Sequence, residues 1–159
     1  MKKLLHLIPV LFVFYSCGSK AALDFSETIV KKERSLQTDI IKTENKVKTY
    51  YETRQYDSMA AVSEKMEKII GDRLEEIKNL KTPDIKLADE FKSESVNYFA
   101  YMKNIYTSYV QYARAGTEDV RAKEFVNLQK VVSKKEEVIR KMRDSQKRFA
   151  EANGFKIKN

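Results

Sequence analysis

In the stretch SETIVKKERSLQTDIIKTENKVKTYY (residues 26–51), apolar side chains recur at Ile29, Leu36, Ile40, Val47 and Tyr51, at steps of seven, four, seven and four residues. Those steps keep all five on one stripe of an α-helix, the pattern of a seam that packs against partner helices. Most of the remaining residues are polar or charged, so this helix needs to bury one face only. Asp24 or Ser26 can cap its start.

Helical periodicity then continues along the chain. After a break at Gln55-Tyr56-Asp57, capped by Asp57 or Ser58, a second helix carries Met59, Val62, Met66, Ile69, Ile70, Leu74, Ile77 and Leu80. Pro83 ends it, because it lacks an amide hydrogen and disfavours helix at Thr82. Gly71 inside this helix costs about 1 kcal/mol relative to Ala unless a neighbour packs there. A third helix from about Asp84 uses Leu87, Phe91, Tyr98, Met102, Ile105, Tyr109 and Tyr112 and ends near Gly116. Thr117 starts the fourth, with Val120, Leu128, Val131, Val138, Met142, Ser145 and Phe149 along its seam and Glu124 and Lys135 at seam positions too. Asn153-Gly154-Phe155 reads as its stop, with Gly154 taking the left-handed conformation and Phe155 folding back on the last turn.

Long helices joined by loops this short must run antiparallel to their neighbours. The expected fold is therefore all-α: an up-down-up-down antiparallel four-helix bundle with helices at about residues 24–54, 57–80, 84–115 and 118–152, in a single domain 24–155 followed by a basic tail 156–159. The alternative is a long antiparallel coiled coil that completes its core as a homodimer, since Glu124 and Lys135 sit awkwardly in a fully buried seam. Either arrangement brings the start of the first helix, the loop at residues 81–84 and the end of the fourth helix to one end.

The composition agrees. The 159 residues hold 31 Lys and Arg against 23 Asp and Glu, a net charge of +8, with 4 Gly and 2 Pro. Such scarcity of turn residues argues against an all-β fold. The one histidine, His6, and the one cysteine, Cys17, both precede the first helix. Met1-Lys2-Lys3 forms a short positive segment, followed by a 13-residue apolar run from Leu4 to Ser16 that His6 and Pro9 interrupt. As a helix that run would reach only about 20 Å, short of the roughly 30 Å hydrocarbon core. It is expected to be a signal peptide, residues 1–16.

The run ends in Phe14-Tyr15-Ser16-Cys17-Gly18-Ser19, which resembles the bacterial lipobox: Ser16 and Cys17 match its small residue and acylated cysteine, while Phe14 stands where Leu is usual. A lone thiol in an oxidising compartment is a liability, and its place at the end of the apolar run favours lipidation. Cys17 is thus the expected lipidated N-terminus, on a tether of residues 17–23, and acyl chains such as palmitate give membrane attachment. Gly18 and Ser19, with no acidic residue after Cys17, resemble lipoproteins sorted to an outer membrane.

With His6 removed and Cys17 acylated, neither imidazole nor thiol remains. Cys/His zinc sites, histidine-dependent triads and the two-histidine di-iron centre of helical bundles are excluded, and no cofactor or metal is expected. A carboxylate pair could still cleave glycosides within a cleft, with Glu94 and Glu124 as candidate acids. Nucleic acid is excluded as a partner by export and by the lack of an aromatic-basic surface motif.

Two side-chain groups admit two readings each. On the third helix, Ala88, Val96, Phe99, Tyr106 and Val110 widen the apolar arc to over about 200°. They either complete an ordinary core or leave Phe99, Tyr106 and Val110 as an exposed surface for a partner or an apolar ligand. On the fourth helix, Glu137 with Lys141 and Asp144 with Arg148 are favourable i,i+4 pairs of a solvated face. Alternatively Lys81, Lys147, Arg148, Lys156 and Lys158 gather, with Lys20 and Lys78, at the membrane-proximal end and meet anionic headgroups.

Taken whole, the chain resembles an uncharacterised family of small all-helical bacterial surface lipoproteins, first described from spirochaetes. The likeness lies in the Ser16-Cys17 leader, the long first helix, the aromatic third helix with Tyr98-Phe99 and Tyr106, and the ending Ser145-Gln146-Lys147-Arg148-Phe149-Ala150-Glu151-Ala152-Asn153-Gly154-Phe155. The resemblance implies a helical bundle of the cell envelope and supplies no catalytic residue. The expected function is a lipid-anchored, non-enzymatic interaction module or spacer with an envelope protein as partner. A carrier of an apolar ligand between helices, or a carboxylate-dependent hydrolase of envelope glycans, are the alternatives.

Overall fold

The computed structural model, which describes residues 14–16 and 20–157, turns the periodic stretches into five helical segments. They are α1 (Lys20–Glu52), α2 (Tyr56–Lys78), α3 (Ala88–Arg114), α4 (Glu118–Val132) and α5 (Lys135–Ala152). The protein is all-α, and its helices pack as a bundle in which α4 and α5 together make the fourth limb. Two strands of three residues, β1 (Phe14–Ser16) and β2 (Phe155–Ile157), pair antiparallel with Phe14 opposite Ile157 and Ser16 opposite Phe155.

Several boundaries differ from the sequence expectation. Helix α1 begins at Lys20, so residues 20–23 are helix instead of tether, and Ala22 is fully buried. The third helix begins at Ala88, not near Asp84. After Pro83 the chain makes two tight turns, Ile85 N–H to Pro83 O at 2.9 Å and Ala88 N–H to Ile85 O at 3.3 Å. Leu87 leaves them at φ 60°, a left-handed conformation that no α-helix can include. The fourth helix breaks at Ser133-Lys134, where the Ser133 hydroxyl donates to Lys130 O at 2.9 Å and the Lys134 N–H reaches back only to Val131 O at 3.2 Å. A serine bonding its own preceding turn tightens and bends a helix in this way. Phe155–Ile157 forms strand β2 where a tail was expected to begin.

Both ends of the bundle are closed by side chains. At the first end Phe149 stacks on Phe91 with ring centroids 4.9 Å apart and meets Phe25 at 6.0 Å and Phe155 at 5.8 Å. Gly154 at φ 74° turns the chain so that Phe155, 3% exposed, folds back on Phe149, as its sequence position predicts. Asn153 Nδ2 donates to Lys86 O at 2.9 Å and ties α5 to the α2–α3 loop.

At the far end α1 stops with Arg54 at φ 55° and the Gln55 N–H bonded to Tyr50 O at 2.8 Å, a Schellman closure with arginine in the position that usually holds glycine. The Thr117 hydroxyl accepts from the Val120 N–H at 3.3 Å and caps α4.

Helix α3 is the centre of the assembly, with α2 along one side and α4 and α5 along another. Its Phe91, Phe99, Met102, Ile105 and Tyr106 are almost completely shielded from solvent, as are Met59, Met66, Ile70 and Ile77 of α2. Helix α4 contributes only Leu128 to the fully buried set. Helix α1 packs its backbone on α2 and reaches the fourth limb through side chains.

Gly71 has no packing reason to be glycine: an added Cβ would meet only the aliphatic stem of Lys103, at 3.7 Å from Cε. Gly71→Ala is expected to raise stability by about 0.5–1 kcal/mol, the entropic cost of glycine inside a helix. Urea unfolding followed by the helical circular dichroism signal measures this, and a loss of stability would show that the site resists a methyl group.

Candidate functional site

The seam of α1 holds more than its apolar residues. Glu33 and Glu44 each lie four residues after an isoleucine, Ile29 and Ile40, in the middle of the two seven-residue steps. Steps of seven and four repeat every eleven residues, close to three full turns, so both glutamates return to the same inward face. On α3, which runs parallel to α1, Tyr98 and Tyr109 stand at the same spacing. The Tyr98 hydroxyl donates to Glu33 Oε1 at 2.9 Å, and the Tyr109 hydroxyl donates to Glu44 Oε2 at 3.2 Å. One bridge across the core is thus built twice.

From α5, the charge of Arg143 faces the Glu33–Tyr98 pair and that of Lys135 faces Glu44. Glu44 is 7% exposed, and Tyr98 and Tyr109 are 4% exposed. The Tyr106 hydroxyl approaches the Glu44 carboxylate without a well-formed hydrogen bond, so both it and Glu44 Oε1 stay buried without a hydrogen-bond partner.

This environment separates the two kinds of group. Burial pushes the carboxyls of Glu33 and Glu44 above the ordinary carboxylate range. At Glu33 the Tyr98 hydroxyl and the charges of Arg34 and Arg143 pull the other way; at Glu44 the Tyr106 and Tyr109 hydroxyls and Lys135 do. Burial first, and the neighbouring carboxylates second, hold the Tyr98, Tyr106 and Tyr109 hydroxyls far above their usual value. Burial likewise pushes Tyr101 up to about 12. The tyrosines are therefore permanent proton donors, and the carboxyls are the groups that can gain or lose a proton. Paired polar groups of this kind also restrict how α1 can slide along α3, since slippage would orphan both bridges.

The residues singled out from sequence fall elsewhere. Phe99 and Tyr106 are 0% and 1% exposed, so they are core and not a partner surface, whereas Val110 is partly buried and lies outside the core cluster. The wide apolar arc has a simple cause: α3 is the central helix and must satisfy neighbours on several sides.

Of the basic residues, Lys81 and Lys156 are exposed at the first end. Lys147 lies 3.9 Å from Glu151, and Arg148 pairs with Glu90 of α3, not with Asp144, which takes Arg140 at 3.3 Å. Lys141 and Glu137 pair at 2.8 Å as their spacing predicts. Cys17 and Lys158 lie outside the described residues.

A groove between α3 and α5 is lined by Glu94, Arg140, Lys141, Asp144, Lys147, Arg148 and Glu151, charged side chains that do not suit an apolar ligand. Glu94 belongs to that groove, whereas Glu124 accepts from Asn127 Nδ2 at 3.2 Å on α4, so the fold does not bring these two acids together. Among the described residues no group of three His, Cys, Asp or Glu side chains could hold a metal ion, and no helix is long and apolar enough to cross a membrane.

Glu33 and Glu44 are the site residues that the apolar pattern alone passes over. Their signal was present in the gaps: two acids at equivalent places in an eleven-residue repeat. Compared with known proteins, the chain matches no family model, no curated protein and no solved structure.

Proposed function

We propose that this chain is a lipid-anchored protein of the bacterial cell envelope whose helical bundle serves as a non-catalytic interaction module or spacer. The observation that carries the reading is the Ser16-Cys17 ending of an apolar leader, three residues before α1 begins at Lys20. Acyl chains on Cys17 would hold the first end of the bundle at a membrane, most simply the outer membrane.

The bundle geometry suits such an anchor. The start of α1, the loop before α3 and the end of α5 share that end, and Lys81 and Lys156 are exposed there for anionic headgroups. The 33 residues of α1 would let the far end stand off by about 50 Å. Cleavage before Cys17 would take β1 away with the leader. Strand β2 would then be held by Phe155, whose ring packs on Phe149.

The test is fractionation of cells that express the chain or its Cys17→Ala variant, with intact-mass analysis of both. The native chain is expected in the membrane fraction, starting at an acylated Cys17, and Cys17→Ala is expected to be released. A variant that stays in the membrane fraction, or a native chain with a free thiol, overturns the anchor.

A further inference from the structure

Besides the contact of Phe25 with Phe149, charge links α1 to α5: Arg143 acts on Glu33, and Lys135 acts on Glu44. The groups around each carboxyl can be named from every element that packs there. Glu33 has Arg34 on its own helix, Tyr98 on α3 and Arg143 on α5. Glu44 has Tyr106 and Tyr109 on α3 and Lys135 on α5.

An ionised carboxylate inside a protein is comfortable when two or three donors hold it. Glu33 accepts one hydrogen bond from Tyr98, and Glu44 accepts one from Tyr109, while Oε1 of Glu44 has no partner. Glu44 is the more poorly solvated of the two, with one oxygen unpartnered, while Glu33, three turns away, is half-buried.

We propose that Glu33 and Glu44 are paired proton-binding sites through which mild acidification tightens α1 onto α3. A proton removes the charge that burial penalises and leaves the tyrosine hydroxyl still able to donate to the carbonyl oxygen. The direction follows from proton counting. Each carboxyl holds its proton more firmly in the folded chain than in the unfolded one. Over the window between the ordinary carboxylate range and the raised folded value, the native state carries the extra protons, so stability rises as pH falls. Above that window the cost of the buried Glu44 charge and the half-buried Glu33 charge is present in full. Glu76 and Glu137, held below the ordinary range by Lys32 and Lys141, act with the opposite sign at lower pH.

The experiment is urea unfolding of the full chain at about pH 5.5 and about pH 7.5, on wild type, E33Q, E44Q and the double variant. The wild type is expected to show the higher urea midpoint at the lower pH. The double variant should have a raised midpoint at the higher pH and no difference between the two, and each single variant should remove part of the difference, E44Q the larger part. A wild-type midpoint no higher at the lower pH, or a difference that survives in the double variant, overturns the proposal. Should the double variant not fold, carboxyl carbon NMR of the wild type decides: two glutamates titrating above all the others support it, and none doing so overturns it.

Discussion

Replacing Phe149 with alanine is expected to destabilise the domain by about 3–5 kcal/mol, the usual cost of deleting a fully buried aromatic ring. Phe149 is 0% exposed and lies at the meeting point of three other rings. It stacks on Phe91 of α3 at 4.9 Å, meets Phe25 of α1 edge-on at 6.0 Å and receives Phe155 at 5.8 Å. No neighbour can collapse into the space without giving up a contact with another helix, so the cavity persists. The first end of the bundle should loosen selectively. Chemical unfolding gives the energy, and limited proteolysis near residues 153–157 gives the location. A loss under about 1 kcal/mol would mean that the four rings are not the clasp of this end.

The far end depends on Arg121, and Arg121→Ala is expected to cost about 2–4 kcal/mol. The last carbonyls of α3 are short of backbone donors, Tyr112 O receiving only the Ala115 N–H at 3.4 Å. The Arg121 guanidinium adds donors, with Nη1 donating to Tyr112 O at 3.2 Å and Nη2 to Ala115 O at 2.9 Å. The same group lies over the Tyr56 ring, 3.8 Å from its centroid. One side chain thus joins α4 to the end of α3 and the start of α2. Its ion pair with Glu118, 3.4 Å away and with that acid 85% exposed, adds little. Arg121→Lys should recover only a minor part, because an ammonium lacks the planar fork that reaches two carbonyls while stacking on an aromatic face. Thermal melts of both variants beside the wild type test this, and an Arg121→Lys chain as stable as the wild type would overturn the capping role.

Much of this protein was legible from short-range pattern. Ile29, Leu36, Ile40, Val47 and Tyr51 place one face of α1, and the spacing of Met59 to Ile77 does the same for α2, because a helix of regular pitch turns sequence distance directly into direction. Gly154 and Phe155 read correctly as a stop for the same reason: a left-handed glycine and a ring that folds back are local events. The leader and the lipidated Cys17 stay proposals, resting on residue chemistry alone.

Tertiary contact decided the rest. Phe99 and Tyr106 could have faced solvent or core on their own helix; they are buried because α3 became the central one. Glu33 and Glu44 share a place in the eleven-residue repeat of α1, but that spacing alone does not say what they face. Only the parallel placement of α1 beside α3, with Arg143 and Lys135 arriving from α5, took Glu44 out of water, half-buried Glu33 and set both opposite tyrosines, because the environment of a charge depends on every element around it while the direction of a side chain depends on its own helix alone.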